Sequence, residues 1–202
     1  MSATTWSDEE TFETAEPSTA GDGQKPIEPA VGLFTLAIPE PDAADELIRS
    51  RYLTRGSLMQ IASETHLGKS VFSMQMGMLF TLGRPFCGMH PTRPLKVLLV
   101  QTENDVGELA ICREGIVRGL RLKTEECKAI GERFFVKTPE HAYDWRDVAT
   151  ALLAPLIELH KPDLVILDPL FGFFHGKAVG EELSQFLRAH LQALARQFQI
   201  GL

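Results

Sequence analysis

The chain has 202 residues, 44% of them hydrophobic, and a formal net charge of −7. That length allows one ordinary domain with some unstructured sequence besides, and the apolar content is enough for a core. No apolar run approaches the roughly 20 residues that a membrane-spanning helix needs, and the N-terminus lacks a signal-peptide apolar stretch, so no membrane role and a cytoplasmic location are expected.

The charge is local. Residues 1–30 hold seven acids (Asp8, Glu9, Glu10, Glu13, Glu16, Asp22, Glu28) against Lys25, a net of −6, so only −1 is left for residues 31–202. Residues 1–40 mix Thr, Glu, Pro, Ser, Ala and Gly with few large apolar side chains, which predicts a disordered acidic tail ahead of a domain over 41–202. The near-neutral remainder gives no general electrostatic case for nucleic-acid binding. The three cysteines, Cys87, Cys112 and Cys127, share no metal-ligand spacing and are expected to be reduced thiols.

Asp42–Tyr52, with Ala44, Leu47 and Ile48, is predicted as a short helix leading to a strand over Leu58–Ala62. Next comes Ser63-Glu64-Thr65-His66-Leu67-Gly68-Lys69-Ser70, a nucleotide-binding P-loop pattern with serine where the consensus has its first glycine. In such a loop, backbone N–H groups and the following helix N-terminus face phosphates, with Val71 continuing the helix. Lys69 reaches the β- and γ-phosphates, and the Ser70 hydroxyl ligates magnesium. A positive φ at Ser63 would cost about 1 kcal/mol relative to glycine.

Val71–Leu82 is predicted as a helix closed by Gly83 and Pro85, with Met74, Met76 and Met78 as core filling. Val97–Val100 reads as a fully apolar strand, and Asp105 as the N-cap of a helix to Leu120. A short strand at Phe134–Val136, a helix from Asp144 to His160, a strand at Leu164–Leu167 and an amphipathic helix over Glu181–Phe198 follow. Continuous apolar strands separated by helices imply an α/β fold with a parallel sheet covered on both faces.

Two acids stand where such a sheet binds ligands, beyond the carboxyl ends of its strands. Asp168 closes Leu164-Val165-Ile166-Leu167, the Walker B pattern, and a carboxylate there can hold a magnesium-bound water. Before Pro169 it could equally shape a turn. Glu103 follows Val97–Val100 at the tip of the strand expected beside the P-loop strand, where it can activate the attacking water. Its plainer alternative is a solvated loop glutamate near Asp105.

In this order the three stations resemble RecA-like ATPases, in particular the branch with plasmid RepA-type hexameric replicative helicases and their phage relatives. The resemblance runs from about Tyr52 to Leu202. It rests on Arg55-Gly56-Ser57-Leu58, Leu82-Gly83-Arg84-Pro85-Phe86, Lys96–Val100 with Glu103, Leu167-Asp168-Pro169-Leu170, Phe173-Phe174-His175-Gly176 and Leu194–Phe198. It implies a RecA-like P-loop domain using ATP and Mg2+, with Lys69 and Ser70 on phosphate and metal, Glu103 as catalytic base and Asp168 as Walker B acid. It further implies a homo-oligomeric ring acting on single-stranded DNA. A related ATPase that switches a recombination or regulatory assembly without translocating, or a degenerate nucleotide-binding domain, are the alternatives. Gln199–Leu202 looks like the start of a further core strand. On this reading the sequence is a C-terminally truncated product with an unpaired apolar edge at Ile200, lacking the family's sensor residue, DNA loop and arginine finger.

Overall fold

The computed structural model describes residues 30, 32–35, 37, 40, 44–62, 64, 67–141, 143–174 and 180–202. The chain divides into two units, Met1–Ile38 and Pro39–Leu202. In the first, Leu33–Thr35 forms a single 3-10 turn in which the Thr35 hydroxyl donates to Gly32 O at 2.7 Å. The acidic tail expected over residues 1–40 falls mostly outside the described residues.

The second unit opens with strands and not with the expected helix. Glu46–Ile48 (β1) and Leu53–Thr54 (β2) form an antiparallel hairpin where a helix was expected. Its turn places Ser50 and Arg51 at φ 60 and 55, the consecutive left-handed pair of a tight hairpin turn. That turn normally announces itself with Asn-Gly, and Ser-Arg gives no such signal. The Glu46 carboxylate accepts from Arg51 N at 2.6 Å, closing the turn from within. Leu47, Ile48 and Leu53 are buried with Met76, Phe80, Leu95, Val97 and Leu164.

The central sheet is parallel. Val97–Gln101 (β3) lies between Phe134–Lys137 (β4) and Leu164–Asp168 (β5). β5 is followed across the sheet by Ile200–Leu202: Val165 N donates to Gly201 O at 2.9 Å and Gly201 N to Asp163 O at 2.8 Å. On the far side of that segment runs Ser57–Met59, with Leu202 N donating to Ser57 O at 3.1 Å and Met59 N to Leu202 O at 2.8 Å. Two expectations change. Ile200–Leu202 has backbone partners on both sides and is no unpaired edge. The strand ending near Glu103 is also not beside the segment leading to the P-loop, since β5 and Ile200–Leu202 lie between them. Leu58–Ala62 itself has no regular secondary structure beyond the pairing of Met59 with Leu202.

The alternation of side chains builds two layers from one strand. Leu98 and Val100 join Val165 in the core under Trp145, Val148, Leu152 and Phe186. Leu99 faces the opposite way, against Met74, Met78, Leu109, Ile116 and Ile130. Helix Lys69–Thr81 (α1) covers that second face, with Val106–Leu120 (α2) and Thr124–Arg133 (α3) packed on it. All three methionines expected in the core are there, at 3%, 2% and 2% exposure for Met74, Met76 and Met78. Gly77 permits the close packing of α1: a Cβ there would meet Phe134 Cε2 at 2.4 Å.

α2 starts where Asp105 predicts, with Asp105 Oδ1 accepting from Glu108 N at 2.8 Å and the Glu108 carboxylate accepting in turn from Asp105 N at 3.1 Å. α3 was not foreseen; its start lacks a serine, threonine, aspartate or asparagine cap, and Glu126 instead accepts from Lys123 N at 2.8 Å. The helix expected from Asp144 to His160 begins as a turn and a π-helical segment, Val148–Leu153, before Ala154–His160 (α4). Pro155 has no N–H to return to Ala151, which accounts for the widened winding ahead of it. Glu181–Phe198 is helical throughout, as Glu181–Gln185 (α5), a π-helical segment at Phe186–Leu191, and Gln192–Phe198 (α6).

At the N-terminal end of β5, Asp163 gathers a dense set of donors. Arg93 reaches it through both terminal guanidinium nitrogens at 3.0 and 2.8 Å, Arg55 at 2.9 Å, and Lys96 N at 2.9 Å. Burial alone would raise its pKa, but the hydrogen bonds from Arg93, the Lys96 backbone and Arg55 outweigh that and lower it to about 2. Arg55 also donates to Gln199 O at 2.7 Å, so the knot ties the start of the sheet to the end of α6.

The three cysteines are free thiols, and no helix among the described residues is long and apolar enough to cross a membrane.

Candidate functional site

The opposite, C-terminal end of the sheet carries the residues singled out in the sequence. Gln101 and Asp168 are the last residues of β3 and β5 and stand in register with each other. Both are buried, at 0% and 6% exposure. Thr102 N donates to Asp168 O at 3.3 Å, extending the strand pairing by one step.

Past Gln101 the chain turns sharply and is braced from inside. The Gln101 amide accepts from Asn104 N at 2.7 Å and donates to the Asn104 side-chain oxygen. Asp105 then caps α2. Glu103 therefore sits at the exposed apex of a turn held on both sides. The turn after Asp168, Leu170–Phe173, closes on the same loop: a Cβ at Gly172 would lie 1.9 Å from Thr102 Oγ1. Only glycine at 172 lets the two loops touch.

The start of α1 differs from the start of α2. Its N-cap is Gly68 at φ 78 and ψ 29, a left-handed conformation that glycine adopts without a Cβ penalty and that offers no side-chain cap. The first N–H groups of a helix have no partner within it, and the helix dipole favours negative charge there. Among the described loop residues, Glu64, Leu67 and Gly68 are exposed, Lys69 and Ser70 are half-buried, and Val71 is exposed. Lys69 Nζ donates to Glu64 O at 2.7 Å, so its side chain folds back over the loop it closes. Ser63, Thr65 and His66 lie outside the described residues, and with them the question of strain at Ser63.

The link between α1 and β5 is a residue that the motif reading passed over. Ser73 Oγ lies 3.0 Å from Asp168 Oδ2, 2.9 Å from Lys69 O and 3.2 Å from Ser70 O. Among the described residues, the hydroxyl that reaches Asp168 is that of Ser73 and not that of Ser70. Gln101, Thr102 and Gly172 were also not singled out. Ser73 and Gln101 carried a usable signal: a polar side chain inside an otherwise apolar helix face or strand must find a buried partner. Thr102 and Gly172 carried none, because their contact joins two loops far apart in sequence.

The donor set suits a hard divalent cation held mostly by phosphate and water. No group of three or more His, Cys, Asp or Glu among the described residues could hold a metal by itself. Mg2+ keeps several waters and takes one or two protein oxygens alongside substrate phosphates, so a hydroxyl on the first turn of α1 and one buried carboxylate are chemically sufficient. Chemically, the uncapped start of α1 offers N–H donors to an anion, and the buried Asp168 carboxylate at the end of β5 offers oxygen ligands to a cation.

Among known proteins, the sequence matches the family model described as AAA domain over residues 28–199. No curated protein matches it.

Proposed function

The chain belongs to the AAA-domain family, which makes it a P-loop ATPase-type domain, and on that premise we propose that it binds ATP with Mg2+ at the start of α1 and hydrolyses it as the motor domain of a replicative-helicase-type assembly. The observation that carries the reading is the 3.0 Å hydrogen bond from Ser73 to Asp168, which joins the P-loop helix to the end of β5 across 95 residues of sequence. It brings the two elements that this reading assigns to the nucleotide within one side chain of each other.

In this reading the loop Ser63–Ser70 and Val71 surround the phosphates. Lys69 exchanges the neutral Glu64 carbonyl for the anionic β- and γ-phosphate oxygens as acceptors. Ser70 and Asp168 would hold Mg2+, which would supply positive charge to the phosphates. Glu103, projecting from its braced turn, orients and deprotonates the attacking water. The brace fixes the loop backbone while leaving the carboxylate exposed.

The helicase assignment adds a ring of copies and single-stranded DNA as partner, and rests on the resemblance to RepA-type and phage helicases. The second reading is a nucleotide-driven switch in a recombination or regulatory assembly, and the net charge of −1 over residues 31–202 does not decide between the two. One experiment separates them. Calorimetry with a non-hydrolysable ATP analogue, with and without Mg2+, tests the site, and hydrolysis measured with and without single-stranded DNA tests the motor. Binding with DNA-stimulated turnover is expected; binding with DNA-indifferent turnover selects the switch, and no binding rejects both.

A further inference from the structure

We propose that Ser73 is a positioning residue for Asp168, holding the carboxylate against the first turns of α1 and thereby setting how readily the nucleotide site takes up Mg2+. The inference rests on reading that site as an Mg2+–nucleotide site.

Ser73 is 8% exposed and Asp168 6% exposed, so neither can rely on water for its partners. A hydroxyl carries one proton, and three acceptors surround that of Ser73: Asp168 Oδ2 at 3.0 Å, Lys69 O at 2.9 Å and Ser70 O at 3.2 Å. It can donate to only one at a time. Hydrogen bonds to an ionised acceptor are roughly twice as strong as neutral ones, so the proton belongs to Asp168. The bond to Lys69 O is the ordinary return bond that a mid-helix serine makes, and it waits as an alternative.

This gives the hydroxyl two settings without any movement of heavy atoms. In one it holds the Asp168 carboxylate in place. In the other, when waters around a bound cation supply Asp168 with donors, the hydroxyl rotates onto Lys69 O and nothing is left unpaired. Ser70 lies three residues earlier on the same face of α1, so its own hydroxyl is placed to serve the cation directly. A serine that merely satisfied its helix would need only the Lys69 carbonyl. The additional 3.0 Å contact across to β5 is what a positioning role requires.

The test uses the full chain, N-methylanthraniloyl-ADP as fluorescent probe, and a titration with Mg2+. Ser73→Ala should raise the Mg2+ concentration for half-maximal nucleotide binding about tenfold, the lower range for loss of a group that orients a metal ligand. Its affinity for the probe in EDTA should stay at the wild-type value. Ser73→Thr keeps the hydroxyl and should restore the wild-type Mg2+ midpoint. If Ser73→Ala fails to fold, Ser73→Cys, similar in size but a weak donor, takes its place with the same expectation. An unchanged Mg2+ midpoint in a folded variant overturns the proposal, and so does an equal loss of affinity with and without Mg2+. Wild-type protein that shows no Mg2+-dependent binding overturns the reading of the site itself, before any substitution is made.

Discussion

Two aspartates bracket one strand of this protein, and they are treated in opposite ways. Asp163, just before β5, receives both terminal nitrogens of Arg93, one of Arg55 and the backbone N–H of Lys96. Asp168, at the other end, has the Ser73 hydroxyl as its one side-chain donor among the described residues. Asp163 is saturated and fixes structure; Asp168 is held by a single exchangeable bond and keeps capacity for something else. The difference follows from position in the sheet. The N-terminal end of β5 faces the connection after Arg93 and the end of α6, whereas its C-terminal end faces the uncapped start of α1.

The contrast can be broken at either end. The largest effects belong to the C-terminal end of the sheet. Lys69→Ala should remove nucleotide binding while leaving the fold intact, because charge-assisted contacts are worth about 1.5–3 kcal/mol each and two are lost. Calorimetry giving the wild-type affinity for this variant would sink the P-loop assignment. Glu103→Gln should retain bound ATP and slow hydrolysis by roughly 10² to 10⁴, the usual worth of a positioned base. Normal turnover in a single-cycle assay would reduce Glu103 to a solvated loop residue.

The next effects separate the two aspartates directly. Asp163→Asn should lower stability by about 2 kcal/mol, or roughly 4–8 °C in melting temperature for a chain of this size, without altering Mg2+-dependent nucleotide binding. Asp168→Asn should do the reverse. Equal losses of stability in both would erase the distinction drawn here. The pH dependence carries the same sign. Because the folded pKa of Asp163 is lowered from 3.8 to about 2, its contribution is fully present above the unfolded value. It is lost as pH falls through that window toward the folded value. Acid unfolding of Asp163→Asn should therefore lack part of the steepness between those two values that the wild type shows.

The smallest effect concerns the start of the P-loop. If serine strains that turn, Ser63→Gly should tighten ATP binding a few-fold, equivalent to about 1 kcal/mol. Unchanged or weaker binding would mean that the loop follows a path on which Ser63 contributes a contact of its own.

Several elements were legible because their signals are local. Asp105 and Glu108 lie three residues apart and cap each other, so α2 begins where the sequence says. The apolar runs Val97–Val100 and Leu164–Leu167 are both strands, the first buried throughout and the second buried at Leu164 and Val165 and half-buried at Ile166 and Leu167. The β1–β2 hairpin was read as a helix because Leu47 and Ile48 fit either period over so short a stretch. Its turn, moreover, uses Ser50 and Arg51 in conformations those residues rarely adopt. The order of strands was misjudged for a different reason. Sequence gives the succession of strands but not which of them pair, and the connection from Ser57–Met59 to Ile200–Leu202 spans most of the chain.

By itself, then, the sequence determined the α/β class, the position of the Gly68-Lys69-Ser70 turn at the head of a helix, and the placing of Asp168 at a strand end. Each depends on residues within a few positions of one another, where hydrophobic period, glycine and capping chemistry act directly. Tertiary structure alone decided that Ser73 touches Asp168, that Gly172 rests on Thr102, and that Arg55 and Arg93 converge on Asp163. Those contacts join residues 95, 108 and 70 positions apart for the Ser73, Arg55 and Arg93 pairs. They come together only because parallel strands place all their starts at one end of a sheet and all their ends at the other.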